Sequence, residues 1–422
     1  MRAAAHGHRP ARQHGAATLV VVMVLFFLML LVSAYAGRTL IFEQRTSANQ
    51  YRSAQAYEAA AGGLEWALAM LNSDQRIDAS CEPSTDAGNN TFRDRYLAMD
   101  LSADKVTPAT PTNGRFAACT RAVDGWRCQC PTGTVPALVA DATTGAAFVL
   151  EMVPVPAFTP AQPLRLRAWA CSSTTDSRCY SNGTNNTDGY ATQTMQVALV
   201  SALQQPPTAA LTVWDKVTIP AGMTVVNQSP GDSAVAIRSG GDVDVPNPAS
   251  VALPGGVPMD DGLVKYDQQI HDIYLRFFQR HSGMSQSLFR KLPTTASCDG
   301  NNCTSILLEA AANGRRLLYA NHDLTLPANT TLGSPEQPVM LVVDGALTLQ
   351  GLTNITGLVY ADELNWVNGA SASSVRGATM VRSACCAGVS GSPSLIYDRD
   401  VIKRLQLGAG AYAKVPGSWQ DR

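Results

Sequence analysis

The chain has 422 residues, 32 basic and 33 acidic side chains and a formal net charge of -1. A chain with no basic excess is not equipped to track a nucleic-acid backbone. Only 15% of the residues are charged, 26 of the 32 basic ones are arginine, and Gly, Asn, Ser and Thr are abundant after residue 75, the composition of an exported, turn-rich β protein.

Residues 16–36, AATLVVVMVLFFLMLLVSAYA, carry no charge over 21 positions and follow a leader containing Arg2, Arg9 and Arg12. A helix of that length crosses the ~30 Å hydrocarbon layer with its backbone groups satisfied internally. The basic leader keeps the N-terminus cytoplasmic. An ordinary secretory signal has a shorter apolar core and a small-residue cleavage site after it. Here the polar-to-apolar break precedes the core, at His14-Gly15-Ala16. The segment RQHGAATLVVVMVLFFLMLL is similar to the class III leader of the type IV pilin superfamily. That resemblance implies cleavage after Gly15 by a prepilin peptidase, with Ala16 as the first residue of the mature protein. The alternative is an uncleaved signal anchor. Loss of the three leader arginines takes the net charge from -1 to -4.

Tyr57, Ala60, Ala61, Leu64, Ala67, Leu68 and Leu71 recur at helical spacing among Glu43, Arg45, Arg52, Glu58 and Glu65, so the helix is expected to run on to Asn72. From Ala16 that is roughly 85 Å at ~1.5 Å per residue. Gly62 and Gly63 cost ~1 kcal/mol each against alanine and read as sites of close packing. Asn72-Ser73-Asp74 is the expected stop. QYRSAQAYEAAAGGLEWALAML resembles the N-terminal segment of PilX-type minor pilins, and the resemblance makes Leu19, Val20, Tyr57, Leu64 and Trp66 residues of an assembly helix. A helix packed only on its own domain is the plainer reading, and the two are compatible. Most major pilins have glutamate as the fifth residue after the cut; this chain has Val20. A buried carboxylate is costly unless paired, and its absence here implies a minor, initiating or tip component.

Ten cysteines in an exported chain point to disulfides: Cys81, Cys119, Cys128, Cys130, Cys171, Cys179, Cys298, Cys303, Cys385 and Cys386. None has structural-zinc spacing, so no metal or other cofactor is expected. Cys171/Cys179 and Cys298/Cys303 are spaced to close short local loops. Adjacent cysteines rarely bond each other, so Cys385 and Cys386 are expected to reach different partners.

The expected fold is α+β: a long N-terminal membrane-spanning helix, a small antiparallel sheet, and a β-rich domain forming a short parallel solenoid. Residues 1–15 are the leader, 16–72 the helix, 73–203 a pilin-like α+β region and 208–422 the β-rich domain. Residues 75–145 read as an irregular, stapled loop region. Strands are expected in AAFVLEMVPV (146–155), LRLRAWAC (164–171) and TQTMQVALVSAL (192–203), and Gln204-Gln205-Pro206-Pro207 marks a boundary. Beyond it, Leu318–Leu326, Leu341–Leu349 and Leu358–Trp366 repeat one pattern at offsets of 23 and 17 residues. Gly377–Val381 follows them, and residues 211–219 and 235–245 read as earlier coils. Short strands at irregular periods near 20 fit coils that bury their apolar faces by stacking. A helical insertion at 262–291 interrupts them and is expected to cap one end. SPSLIYDRDVI (392–402) and VPGSWQDR (415–422) resemble the closing segments of PilX-like minor pilins.

No nucleophile elbow, HExxH or phosphate loop is present. His271 and His281 read as structural, and Asp242/Asp244, Asp260/Asp261 and Asp398/Asp400 as solvated turns rather than calcium ligands. The reading is a minor pilin, not an enzyme, whose partners are other minor and major pilins, an inner-membrane assembly platform and the prepilin peptidase. It would start in the inner membrane with its β domain facing the periplasm, and would later stand outside the cell at the fibre tip, presenting a surface for a ligand. The alternatives are a minor pseudopilin of type II secretion and a membrane-anchored β-helix enzyme acting on polysaccharide.

Overall fold

The computed structural model describes residues 14–86, 88–111, 114–138, 145–154, 163–173, 179, 189–229, 234–300 and 302–421. The leader up to residue 13 and most of the loop between residues 172 and 189 lie outside them. One helix runs His14–Leu71 over 58 residues, about 87 Å at ~1.5 Å each. Apart from Gly37, residues 17–54 are exposed. From Ala56 onward the face formed by Ala56, Ala59, Ala60, Leu64, Ala67 and Leu71 is buried, at the three- and four-residue spacing of a helical stripe. That stripe packs on the strands Ala147–Pro154, Leu164–Cys171 and Tyr190–Ser201. The two glycines differ. A Cβ on Gly63 would stand 2.9 Å from the Phe148 ring, whereas one on Gly62 would meet nothing within 4 Å. Close packing therefore explains Gly63 and leaves Gly62 unexplained.

The antiparallel sheet is ordered Gly410–Lys414, Tyr190–Ser201, Leu164–Cys171, Ala147–Pro154, Arg115–Ala122, Gly125–Gln129. Three strands fall where alternation predicts them. Two were hidden in the stretch read as an irregular loop: Arg115–Ala122 and Gly125–Gln129 form a hairpin with Cys119 opposite Cys128 and bonded to it. The sixth comes from the chain's end. Gly410–Lys414 pairs with Tyr190–Ser201, as does Gln420–Asp421. The closing segment, expected in the β-rich domain, instead completes the first sheet and covers the edge of its longest strand.

Between residues 208 and 397 every strand pair is parallel among the described residues. Successive coils lie in register: Leu318 opposite Leu341, Leu341 opposite Val359, Val359 opposite Thr379 and Thr379 opposite Leu211. The chain enters the stack in its middle. Leu211–Val213 lies on Ser374–Val381 and Thr224–Val226 on Ser394–Tyr397. The first coils build outward from that seam to Leu263–Val264, and the later ones start at the opposite end with Thr295–Cys298.

This order dictates the path of the helical insertion, Gln268–His271, Tyr274–Arg276, Phe277–Ser282 and Gln286–Phe289. It is not an end cap, because the chain must travel from one end of the stack to the other. It runs along the side as a strap on an aromatic row. Trp214 meets Tyr274 at 4.4 Å between centroids, Phe278 meets Tyr360 at 5.0 Å, and Phe289 meets Tyr319 at 6.4 Å. The end of the stack that begins with Thr295–Cys298 is closed instead by the helix Cys303–Ala312, which packs on that strand and on Leu317–Ala320 and buries Leu307.

Candidate assembly surface and unit junction

Two surfaces concern function: the bare half of the helix, and the joint that fixes the β unit to it. Residues 19–32 of the helix are apolar and exposed, with Leu19 at 62% and Val20 at 58% relative exposure. The helix is long and apolar enough to cross a membrane, and none of its most apolar window is buried within the protomer. Gly15 and Ala16 lie in the first turns of this helix. The sequence-predicted assembly residues divide. Leu19, Val20 and Tyr57 are exposed. Leu64 is fully buried, and Trp66 packs edge-on to Phe92 at 5.9 Å and against Phe148 at 6.2 Å. Those two side chains anchor the helix in its own protomer, with Trp66 left partly exposed.

The joint is built on Arg93, which sits in the short helix Phe92–Tyr96 capped by the Thr91 side chain. Arg93 is 8% exposed and donates to four acceptors. Nη1 bonds the Gly408 carbonyl at 3.1 Å; Nη2 bonds the Gly410 carbonyl at 2.9 Å and Asn72 Oδ1 at 3.2 Å; Nε bonds the Leu71 carbonyl. One guanidinium thus ties the end of the long helix to the end of the helix Arg399–Gly408 and to the start of the strand Gly410–Lys414. Asn72 adds a reciprocal clamp: its Nδ2 donates to the Tyr412 carbonyl at 2.9 Å and its Oδ1 accepts from the Tyr412 amide at 2.7 Å. The expected stop signal is therefore also a tie between sequence-distant segments.

Charge is concentrated here. Burial pushes the Asp74 carboxyl above its ordinary range, and Arg93, Arg315 and Arg316 oppose that shift. Burial works against the Arg93 cation, which Asp74 and the Tyr412 ring support; the guanidinium carbon lies 4.9 Å from that ring's centre. Arg316 and Asp94 form an ion pair across the two units. Nothing in the sequence around Phe92-Arg-Asp-Arg-Tyr marks Arg93 out, since its acceptors, three backbone carbonyls and the Asn72 amide oxygen, come from two segments distant in sequence.

All ten cysteines are bonded: Cys81–Cys130, Cys119–Cys128, Cys171–Cys179, Cys298–Cys303 and Cys385–Cys386. The two local loops close as expected. The adjacent pair does not reach different partners. Cys385 is held at the seam of the stack, its amide bonding the Lys216 carbonyl and its carbonyl accepting from Thr218, while the other eight cysteines find nearer partners. Among the described residues no three His, Cys, Asp or Glu side chains converge on one point. Asp398 is a helix N-cap, accepting from the amides of Asp400 and Val401. His271 stacks on Trp214. His281 holds the linker through the Gln205 carbonyl at 2.7 Å.

No curated protein matches the chain. The competence-associated pilin ComZ from Thermus thermophilus is similar over 88% of this chain and 97% of its own, at 12% identity and a TM-score of 0.26. The PilX N-terminal family matches at residues 14–65, the bare helix together with most of its buried stripe. Residues 14–65 are therefore a PilX-type N-terminal helix.

Proposed function

We propose that the chain is a minor pilin of a type IV pilus machine, cut after Gly15 by a prepilin peptidase and inserted through its helix among other minor and major pilins by an inner-membrane platform. The observation that carries this is one helix with two surfaces: an apolar half left bare, and a half buried in a disulfide-bonded unit. A bare apolar helix needs either lipid or other helices around it. Val20 offers no carboxylate to a neighbour's terminal amine, so the subunit belongs at a fibre end rather than in bulk. The β-rich unit, read as a short solenoid, is then displayed outside the cell in a structural rather than catalytic role.

The test is N-terminal sequencing of the protein from cell envelopes, followed by immunogold labelling of sheared fibres. A start at Ala16 and sparse label at fibre ends are expected. A start at Met1, or label along the shaft at major-pilin density, refutes the reading. Cells that lack pili but lose a secreted cargo on deletion would instead assign the chain to type II secretion.

A further inference from the structure

Beside the joint lies a recess of about 200 Å³ lined by Arg76, Arg315 and Arg316, with the backbone of Gly314, Gly333 and Ser334 on its walls. It is formed by both units: Arg76 comes from the loop after the long helix, the others from the β-rich unit. No acidic residue lines it. Arg316 is spent on Asp94. Arg76 donates to the Ala312 carbonyl at 3.0 Å and Arg315 to the Pro293 carbonyl at 2.9 Å; neither forms a close ion pair among the described residues, though Arg315 acts on Asp74 through space. Counting the whole joint, four arginines (76, 93, 315 and 316) face two aspartates (74 and 94), a formal excess of two positive charges. Glu309 and Glu336 are exposed on the neighbouring helix and loop and do not line the recess.

Guanidinium forks match tetrahedral oxyanions, which accept two parallel hydrogen bonds from each and neutralise the charge. We propose that this recess binds a phosphate-type dianion, free or as a phosphate monoester, and that the anion bridges the two units. The anchoring membrane is not the source. Leu71 is 35 residues beyond the end of the apolar run, on the order of 50 Å along a helix rising ~1.5 Å per residue.

The test uses the full chain in detergent, titrated calorimetrically with inorganic phosphate and with glucose 1-phosphate against chloride at matched ionic strength. One saturable site per chain is expected, together with a higher melting temperature in phosphate than in chloride. Arg76→Gln and Arg315→Gln should each weaken binding about tenfold or more. Arg276→Gln, an exposed charge on the strap, should leave it unchanged. Tighter binding of the sugar phosphate assigns the site to monoesters, and equal binding assigns it to the free ion. If an arginine variant does not fold, the wild-type melting shift still decides. No difference between phosphate and chloride, or an equal loss in Arg276→Gln, overturns the proposal.

Discussion

Replacing Arg93 with methionine tests whether one side chain holds the two units together. Methionine keeps much of the length and apolar stem but removes every donor. Four acceptors lose their partner: the carbonyls of Leu71, Gly408 and Gly410, and Asn72 Oδ1. A buried acceptor left unsatisfied costs ~1–3 kcal/mol. Asn72 keeps its bond from the Tyr412 amide and the Gly410 carbonyl keeps its bond from the Thr294 hydroxyl, so the Leu71 and Gly408 carbonyls carry the loss. Against it stands relief of burying a cation, partly offset by leaving Asp74 without its nearest counter-charge. The net expectation is on the order of 3–5 kcal/mol, the range for breaking one partner of a buried charged network. Denaturant unfolding of the full chain in detergent gives the magnitude. Limited proteolysis gives the mechanism, because separated units should be cut in the linker around residues 202–208. A loss below ~1 kcal/mol with the linker still protected would show that Arg93 fills space without clamping the units.

Four further substitutions follow from local geometry and charge. Gly62→Ala should stabilise the helix by ~0.5–1 kcal/mol, while Gly63→Ala should destabilise by ~1–2 kcal/mol through overpacking against Phe148; thermal melts that rank the pair the other way would contradict the packing. Thr379 is 1% exposed with its hydroxyl unpartnered in the stack core, so Thr379→Val should add ~1 kcal/mol by deleting a buried polar group, read as a raised unfolding midpoint. Because burial raises the folded-state Asp74 pKa above the ordinary 3.8, the folded state binds that proton more tightly than the unfolded one, and this contribution is present at acid pH and lost as pH rises through the raised value. Asp74→Asn should therefore gain stability at pH 7 relative to wild type and little at pH 3.5, and equal shifts at the two pH values would refute the assignment.

The elements with a local period were legible, and those set by distant partners were not. The helix of residues 14–71 announced itself by its apolar run and its Ala/Leu stripe, and the strands 164–171 and 190–201 by alternation. The parallel stack was legible from recurring apolar triplets, because each coil repeats the same burial. The hairpin 115–129 was missed: RFAACTRA is buried almost without a break, which hides the two-residue period. The return of 410–414 to the first sheet was illegible for a different reason. Its partner strand lies more than 200 residues earlier, and nothing in GAYAK names it. Arg93 and the recess beside it belong to the same class, since the first needs residues 71–72 beside 408–410 and the second needs Arg76 beside residues 311–339.

The topology also fixes how force would pass through the molecule. A pull on the bare helix is delivered to Leu71 and Asn72. From there two side chains lead straight to the last strand: Arg93 to Gly408 and Gly410, and Asn72 to the Tyr412 backbone. The other route passes through the sheet to Ser201 and then the linker, where Ser201 Oγ also bonds the Gln406 carbonyl at 2.7 Å. Both covalent connections between the units, at residues 202–209 and 408–410, are therefore bridged by hydrogen bonds to the same helix, Arg399–Gly408. That helix is in turn packed on the two central strands of the stack and tied by Lys403 to the Leu101 carbonyl of the first unit at 2.7 Å. A load entering at the helix is shared between two connections a few residues from one another, and the β-rich unit has no single hinge about which to swing. A pair of units joined by one proline-stiffened linker would not hold its orientation in this way.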